Sequence, residues 1–284
     1  MKLVGIRRSA TYSPGRHAEN DRLIFDATTR VLQRRGCTIQ VVEEDDVGVQ
    51  PIQASAIFSM CQGTRANRVL AELARQGTLI INAPEAAQNC HRARLHRTLG
   101  HDRGVFVPMA LVSTHEEPVI PADLLGESGV WVKRGDVHAT QTGDVVRVDT
   151  GEAYRSVLEG FRCRGIDMAT VEPHQFGEVV KFYGVIGTSF FRFYREADFQ
   201  ICPVAFASAR TDIERLVHRL GLEIYGGDAV LTPDGRVVVI DINDWPSFAN
   251  YRGEAAEAIG HHIYSRIVGQ NTDVQVRQEP SAFA

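Results

Sequence analysis

The segment Leu231–Phe248, LTPDGRVVVIDINDWPSF, constrains the fold more than any other part of the chain. Pro233, Asp234 and Gly235 are the residue types of a tight turn, since proline presets φ and glycine tolerates positive φ. Val237 to Ile240 form a β-branched run that favours a strand buried on both faces. The turn therefore predicts an antiparallel hairpin whose partner strand is GGDAVL, Gly226–Leu231. Asp241 and Asn243 lie two residues apart, so on an extended strand their side chains share a face. Asp228 on the partner strand can face them. Two carboxylates and an amide oxygen make a hard, all-oxygen site suited to magnesium, and enzyme-bound magnesium usually accompanies phosphate. The blander reading is a hairpin end solvated by polar residues. An apolar strand leading straight into the acid–amide pair argues against it.

Upstream, strands alternate with helices that stop at glycine. Leu3–Ile6, Thr38–Val42, Ala56–Ser59 and Thr78–Ile81 read as strands; Asp21–Arg35 and Arg65–Arg75 read as helices closed by Gly36 and Gly77. That alternation predicts a small parallel α/β sheet. Ala86–Leu99 reads as one helix leading out of this unit. Proline at 108, 118 and 121 marks a boundary near residue 106. Val130–Lys133 and Val145–Val148 bracket a Gly- and Thr-bearing loop, followed by a helix over Gly151–Phe161. Strands over Val179–Ile186, Ser189–Tyr194, Leu222–Leu231 and Arg236–Ile242 then dominate, with helices at Asp212–Leu220 and Gly253–Val268 and a polar, frayed tail after Gly269.

A length of 284 residues allows one large domain or two to three small ones. The formal net charge is −4 with mixed signs, which offers no electrostatic case for nucleic acid or an anionic membrane. KLVGI is too short for a signal-peptide core, and no long apolar run occurs, so a cytoplasmic protein is expected. The five cysteines (Cys37, Cys61, Cys90, Cys163, Cys202) form no close pairs and read as reduced, buried apolar filler. Soluble enzymes of this size are most often homodimers, which the chain leaves open.

Several other segments carry chemistry. In WVKRGDVHATQTG, Lys133 sits on a strand beside a loop with Gly135, Thr140, Thr142 and Gly143, an arrangement that can hold phosphate oxygens. Glu172, Pro173 and His174 form a stiff crossing point whose backbone could hydrogen-bond a purine edge. Lys181, between Val179, Val180, Phe182 and Tyr183, should be partly desolvated and need an anionic partner, or else snorkel to water. Arg7 and Arg8 follow the first strand, where ligands of parallel sheets sit. Arg192, Arg195 and Arg210 lie near later strand and helix ends, and Arg92 and Arg94 on the boundary helix. His17, His91, His96 and His101 read as solvated. No Walker loop, Rossmann fingerprint or nucleophile elbow is present.

Taken in order, NAPEAAQNCHRARLHRTL, WVKRG, VEPH and GGDAVL…VVVIDINDWPSF resemble the ATP-grasp superfamily over most of the chain. The resemblance implies an α/β and α+β architecture, with an N-terminal parallel (pre-ATP-grasp) domain over 1–85 and two α+β lobes gripping ATP. The linker helix and small lid lobe would span 86–172, the C-terminal lobe with the metal site 173–272, and a tail 273–284. It implies Mg2+ (or Mn2+) on Asp228, Asp241 and Asn243, and nucleotide contacts from Lys133, Lys181 and Arg94. Glu172, Pro173 and His174 would line the adenine hinge. The loop Asp136–Gly143, with His138, would close as a lid. Arg192 or Arg210 would steady an acyl phosphate, with Lys181 among the catalytic cations, and Arg7 with Arg8 would hold an anionic substrate. Two branches are similar. One is the glutathione synthetase and protein glutamate ligase group, which joins a carboxylate to an amine and is the favoured reading. The other is the inositol trisphosphate kinase group, which places a His and Thr similarly after its lysine. A nucleotide-binding regulator without catalysis is the third reading, from another class.

Overall fold

A computed structural model describes residues 1–13, 17–102, 104–116, 128–201 and 206–278. In chain order the elements are β1 (Lys2–Arg7), α1 (His17–Arg34), β2 (Thr38–Glu43), β3 (Ala56–Ser59), α2 (Thr64–Arg75), β4 (Leu79–Ile81), α3 (Pro84–Asn89) and α4 (Arg92–Leu99). There follow β5 (Ala110–Ser113), β6 (Val130–Arg134), β7 (Val145–Val148), α5 (Gly151–Cys163), β8 (Met168–Pro173), β9 (Glu178–Val185) and β10 (Phe191–Arg195). The chain closes with α6 (Phe206–Leu220), β11 (Ile224–Leu231), β12 (Val237–Asp244) and α7 (Arg252–Gln278).

Three four-stranded sheets result. The first is parallel, in the order β2-β1-β3-β4. Its strands β1, β3 and β4 are buried on both faces, while edge strand β2 is largely exposed. Leu3 and Phe58 join α1 and α7 through Ile24, Phe25, Leu32, Ile259 and Ile263, while Val4, Ile6 and Ile57 pack on Leu70 of α2. The middle sheet is antiparallel, β5-β8-β6-β7, and lies on Tyr154, Leu158 and Phe161 of α5. Thr150 starts that helix by accepting a hydrogen bond from the Ala153 N–H. The C-terminal sheet is antiparallel, β10-β9-β11-β12. One face buries Val180, Phe182, Phe193 and Val239 against Ile213, Leu216 and Val217 of α6.

The β11–β12 hairpin forms around Gly235 at φ +82°, where only glycine is unstrained. It places Asp228 opposite Asp241. The next pair is Ala229 with Val239, so Ile240 has no partner across the ladder and forms a bulge. Gly227 beside Asp228 allows the strands to come this close. A Cβ there would stand 2.2 Å from the Asp241 carbonyl oxygen and 2.4 Å from the Phe182 ring.

Four expectations change. The segment 86–99 is two helices, because His91 is extended (φ −66°, ψ 131°) and starts α4 afresh. Met168–Pro173 and Ala110–Ser113 add two strands to the middle sheet, where short mixed sequences hide the pattern. The last helix continues to Gln278, past the expected stop at Gly269. Cys163 is exposed at the last turn of α5, whereas Cys37, Cys61 and Cys90 are buried; all four are free thiols. Cys202, Pro118, Pro121 and tail residues 279–284 lie outside the described residues. Among the described residues no helix is long and apolar enough to cross a membrane.

Asn82, buried just after β4, ties the first sheet to the C-terminal one. Its Nδ2 donates to the Ile224 carbonyl (2.6 Å) and Asp244 Oδ1 (2.5 Å). Its Oδ1 accepts from the Glu223 and Ile224 N–H groups at 2.8 and 2.9 Å. Removing such an amide strands several buried polar groups. Asn82→Ala should therefore lower stability by roughly 3 kcal/mol in urea unfolding; a loss below about 1 kcal/mol would show that the clamp carries little of the attachment.

Candidate functional site

Two cavities meet at Asp228, one of about 330 Å3 between the middle and C-terminal sheets and one of about 270 Å3 beneath the end of the first sheet. The first is walled by Trp131, Lys133, Val145, Glu172, Pro173, His174, Val179, Val230, Ile240 and Asp241. The second is lined by Arg8, Asp21, Gln62, His138, Lys181, Asn243 and Asp244, among others. Of the residues expected at the site, the structure brings together Lys133, His138, Glu172, Pro173, His174, Lys181, Asp228, Asp241, Asn243 and Arg8.

Charges around the two cavities are paired across elements. Lys133 Nζ lies 2.6 Å from Glu172 Oε2 on the neighbouring strand and donates to the bulged Ile240 carbonyl at 3.2 Å. Arg92, buried at the start of α4, lies 3.0 Å from Asp241 Oδ2. Lys181 meets Asp228 at 2.8 Å and Glu196 at 3.2 Å. Burial pushes the Glu172 and Asp228 carboxyls up, against the pull of Lys133 and Lys181 respectively. Burial also acts on Asp241, but Arg92 and Lys133 outweigh it and hold that carboxyl below its ordinary value. His174 accepts from Trp131 Nε1 through Nδ1 at 3.2 Å, so these two rings form a fixed wall.

Among the described residues, no three His, Cys, Asp or Glu side chains are gathered closely enough to hold a metal ion. The candidate set is two carboxylates and the Asn243 amide, which leaves several positions of an octahedron to water and phosphate, as Mg2+ prefers. Three cations facing three carboxylates would give a bare polyphosphate no net attraction. A divalent cation would. The residues present fit Mg2+ on that ground.

Other expected residues lie elsewhere. Arg7 turns to Asp26 (2.7 Å) and Glu43 (3.0 Å), over the Phe25 ring and away from both cavities. Arg8 lines the second cavity, but its guanidinium is taken up by the Met60, Asp244 and Trp245 carbonyls and by Asp21. Arg192 is on edge strand β10, against the Phe190 and Tyr251 rings and Glu254 at the start of α7. Arg210 is on α6, bonded to Glu214 and the Thr188 carbonyl over the Phe191 ring. Arg94 is half-buried and borders neither cavity, while Arg92 enters the first. The break at His91 sets the phase of α4 and so decides which arginine points inward.

The expected lid loop is packed down. The Ala93 N–H bonds the Gly135 carbonyl at 3.0 Å. His91, expected to be solvated, is buried and meets His138 edge-on, with ring centroids 6.1 Å apart. Burial lowers His138 to about 3 and His91 to about 4, so both rings are neutral. Both ring nitrogens of His138 are buried without a hydrogen-bond partner. Asp144, fully buried, organises the loop. It accepts from the Thr140 N–H (2.7 Å) and the Gln141 N–H (3.1 Å), and it pairs with Arg134 (3.1 Å) and Arg164 (2.7 Å). Sequence reasoning gave the nucleotide contact to Arg94 rather than Arg92 and passed over Asp144, Gln62, Asp21 and Asp244. An acid just after a Gly/Thr loop was the one signal that could have pointed to Asp144.

By sequence, no protein-family profile and no curated protein matches the chain. By structure it is similar to the D-alanine-D-alanine ligase of Coxiella burnetii, with a TM-score of 0.70 at 13% identity over 99% of this chain and 100% of that one. It is similar to a RimK domain ATP-grasp protein of Sphaerobacter thermophilus, with a TM-score of 0.68 at 20% identity over 93% and 100%. It is also similar to the D-alanine–D-alanine ligase of Bacillus anthracis solved with ATP, with a TM-score of 0.71 at 13% identity over 96% and 99%.

Asp144 yields a test of the loop. Burial would raise its pKa, but the Thr140 N–H, then Arg164 and Arg134, more than offset this and hold it at about 2. Its stabilising effect is thus present above the ordinary value of 3.8 and lost as pH falls through about 2. Asp144→Asn should cost roughly 2 kcal/mol at neutral pH. Thermal melts should show the gap from wild type narrowing as pH drops below about 4; a gap independent of pH would contradict this role.

Proposed function

The chain has the ATP-grasp fold, and from that premise we propose that the protein is a Mg-ATP-dependent carboxylate–amine ligase working through an acyl phosphate on a small metabolite. The observation that carries the reading is the pair of cavities meeting at Asp228, with the oxygen set Asp228, Asp241 and Asn243 at their junction. Solved neighbours of the same fold are D-alanine-D-alanine ligases, which supports ligase over other ATP chemistry.

In this reading the nucleobase lies in the first cavity against Trp131, His174, Val179 and Val230, where flat apolar walls meet the Pro173 crossing point. Lys133 and Arg92 face the phosphates, each restrained by a carboxylate so that it is aimed before the nucleotide arrives. Mg2+ held by Asp228, Asp241 and Asn243 would supply the positive charge that the paired site lacks. A substrate carboxylate oxygen attacks the γ-phosphorus and ADP departs with the bonding electrons. An amine nitrogen then attacks the acyl carbon, phosphate leaves, and the nitrogen gives up a proton. The loop around His138 excludes water, which would otherwise hydrolyse the acyl phosphate. Free thiols at Cys37, Cys61, Cys90 and Cys163 fit a reducing compartment such as the cytoplasm. The paired state of Arg8 and Lys181 gives no pocket of free cations for a multiply phosphorylated acceptor, which weighs against the kinase reading.

The test couples product analysis to one variant. With Mg-ATP and a metabolite panel, ADP and inorganic phosphate should appear together, and a condensed product should form only when an acid and an amine are both present. ADP with a phosphorylated product and no need for amine would make it a kinase. No ADP with any metabolite would make it a regulator. Asp241→Asn, which keeps the volume beside Arg92, should lower kcat on the order of a hundredfold or more in a variant that still melts cooperatively. Full activity in that variant would remove Asp241 from the metal site.

A further inference from the structure

The second cavity is biased towards one kind of ligand group. Gln62 lines it and is only 3% exposed. Its Nε2 donates to Asp244 Oδ2 at 3.2 Å, which fixes the amide's orientation. Its Oε1 is buried and receives no hydrogen bond. A buried acceptor left without a donor costs about 1–3 kcal/mol, so it marks a place where a donor arrives from outside the chain.

The surroundings share that bias. Asp21 uses one oxygen, Oδ2, for both Arg8 and the Ser13 hydroxyl, and Oδ1 has no donor among the described residues. Asp228 engages Lys181 through Oδ1 alone. Both cations that line the cavity are already committed: Arg8 to two carbonyls of β12 and its exit, the Met60 carbonyl and Asp21, and Lys181 to Asp228 and Glu196. A carboxylate or phosphate entering here would meet oxygen acceptors and spent cations. An ammonium group would meet an orphan carbonyl oxygen and open carboxylate oxygens, and charge-assisted bonds of that kind are among the strongest in proteins.

We infer that this cavity binds the protonated amino group of an amine-bearing substrate of amino-acid size, seated against Gln62 Oε1 and Asp21. This assignment rests on the ligase reading and names the substrate that occupies the half of the site away from the nucleobase. It replaces the expectation that Arg7 and Arg8 hold an anion there.

The probes are alaninamide (cation), lactamide (neutral, same shape) and propionate (anion), titrated by ligand-observed NMR against the full chain, with ATP titrated in the same samples. Wild type should bind alaninamide at least about tenfold more tightly than either of the others. Gln62→Leu should weaken alaninamide about tenfold and leave ATP affinity unchanged, and Asp21→Asn, which keeps the shape and removes the charge, should weaken alaninamide by a similar factor. Equal binding of propionate, no binding of alaninamide, or alaninamide affinity indifferent to both substitutions would overturn the assignment. Loss of ATP binding in Gln62→Leu would mean that the variant is misfolded, and Asp21→Asn then decides by the same criterion. Failure of wild type to bind ATP would instead defeat the ligase reading, so the two failures are distinguishable.

Discussion

Two carboxylates set directly opposite each other on adjacent strands repel, and much of the molecule answers the pairing of Asp228 with Asp241. Each is met by a cation from a different section of the chain. Lys181 comes from β9, the other neighbour of β11, and Arg92 from the start of α4. The bulge at Ile240 follows at once and turns a carbonyl to Lys133 of the middle sheet. Thus the linker helices and two sheets converge on one repulsive pair. Without these cations, burial would drive the acids towards the neutral form.

In the proposed ligase, the same arrangement would let the site hold a polyphosphate without attracting one indiscriminately. Lys133, Lys181 and Arg92 are restrained by Glu172, Asp228 and Asp241 at 2.6 to 3.0 Å. Restraint fixes the donors in place, which lowers the ordering cost when ligand binds. It also cancels their charge, so a divalent cation becomes part of the recognition. On the far side of Asp228, the bias shifts from cations to open acceptors. Under the proposed function, the two cavities that share Asp228 would provide a phosphate-facing half and a half suited to an amine-bearing substrate.

Much of this was legible locally. The hairpin, its turn and the shared face of Asp241 and Asn243 follow from periodicity and turn chemistry. Lys133 and Lys181 were legible as cations on apolar strands. What escaped depends on distance along the chain. Asn82 and Gln62 reach Asp244 across 162 and 182 residues, and no local pattern encodes such a meeting. Arg92 and Arg94 are indistinguishable until the break at His91 fixes the helix phase. Arg192 and Arg210 look like free cations in sequence, but aromatic rings and nearby glutamates hold both away from the crevice.

The measurement that bears most directly on this account is ATP affinity with and without Mg2+, followed by tryptophan fluorescence. The chain has two tryptophans, of which Trp245 is fully buried and Trp131 lines the first cavity. Because Lys133, Arg92 and Lys181 are already neutralised, ATP should bind at least about tenfold more tightly with Mg2+ than with chelator, and Trp131→Phe should abolish the signal. Equal affinity in the two conditions, or a signal that survives Trp131→Phe, would contradict a charge-balanced cavity that needs a divalent cation to grip its nucleotide.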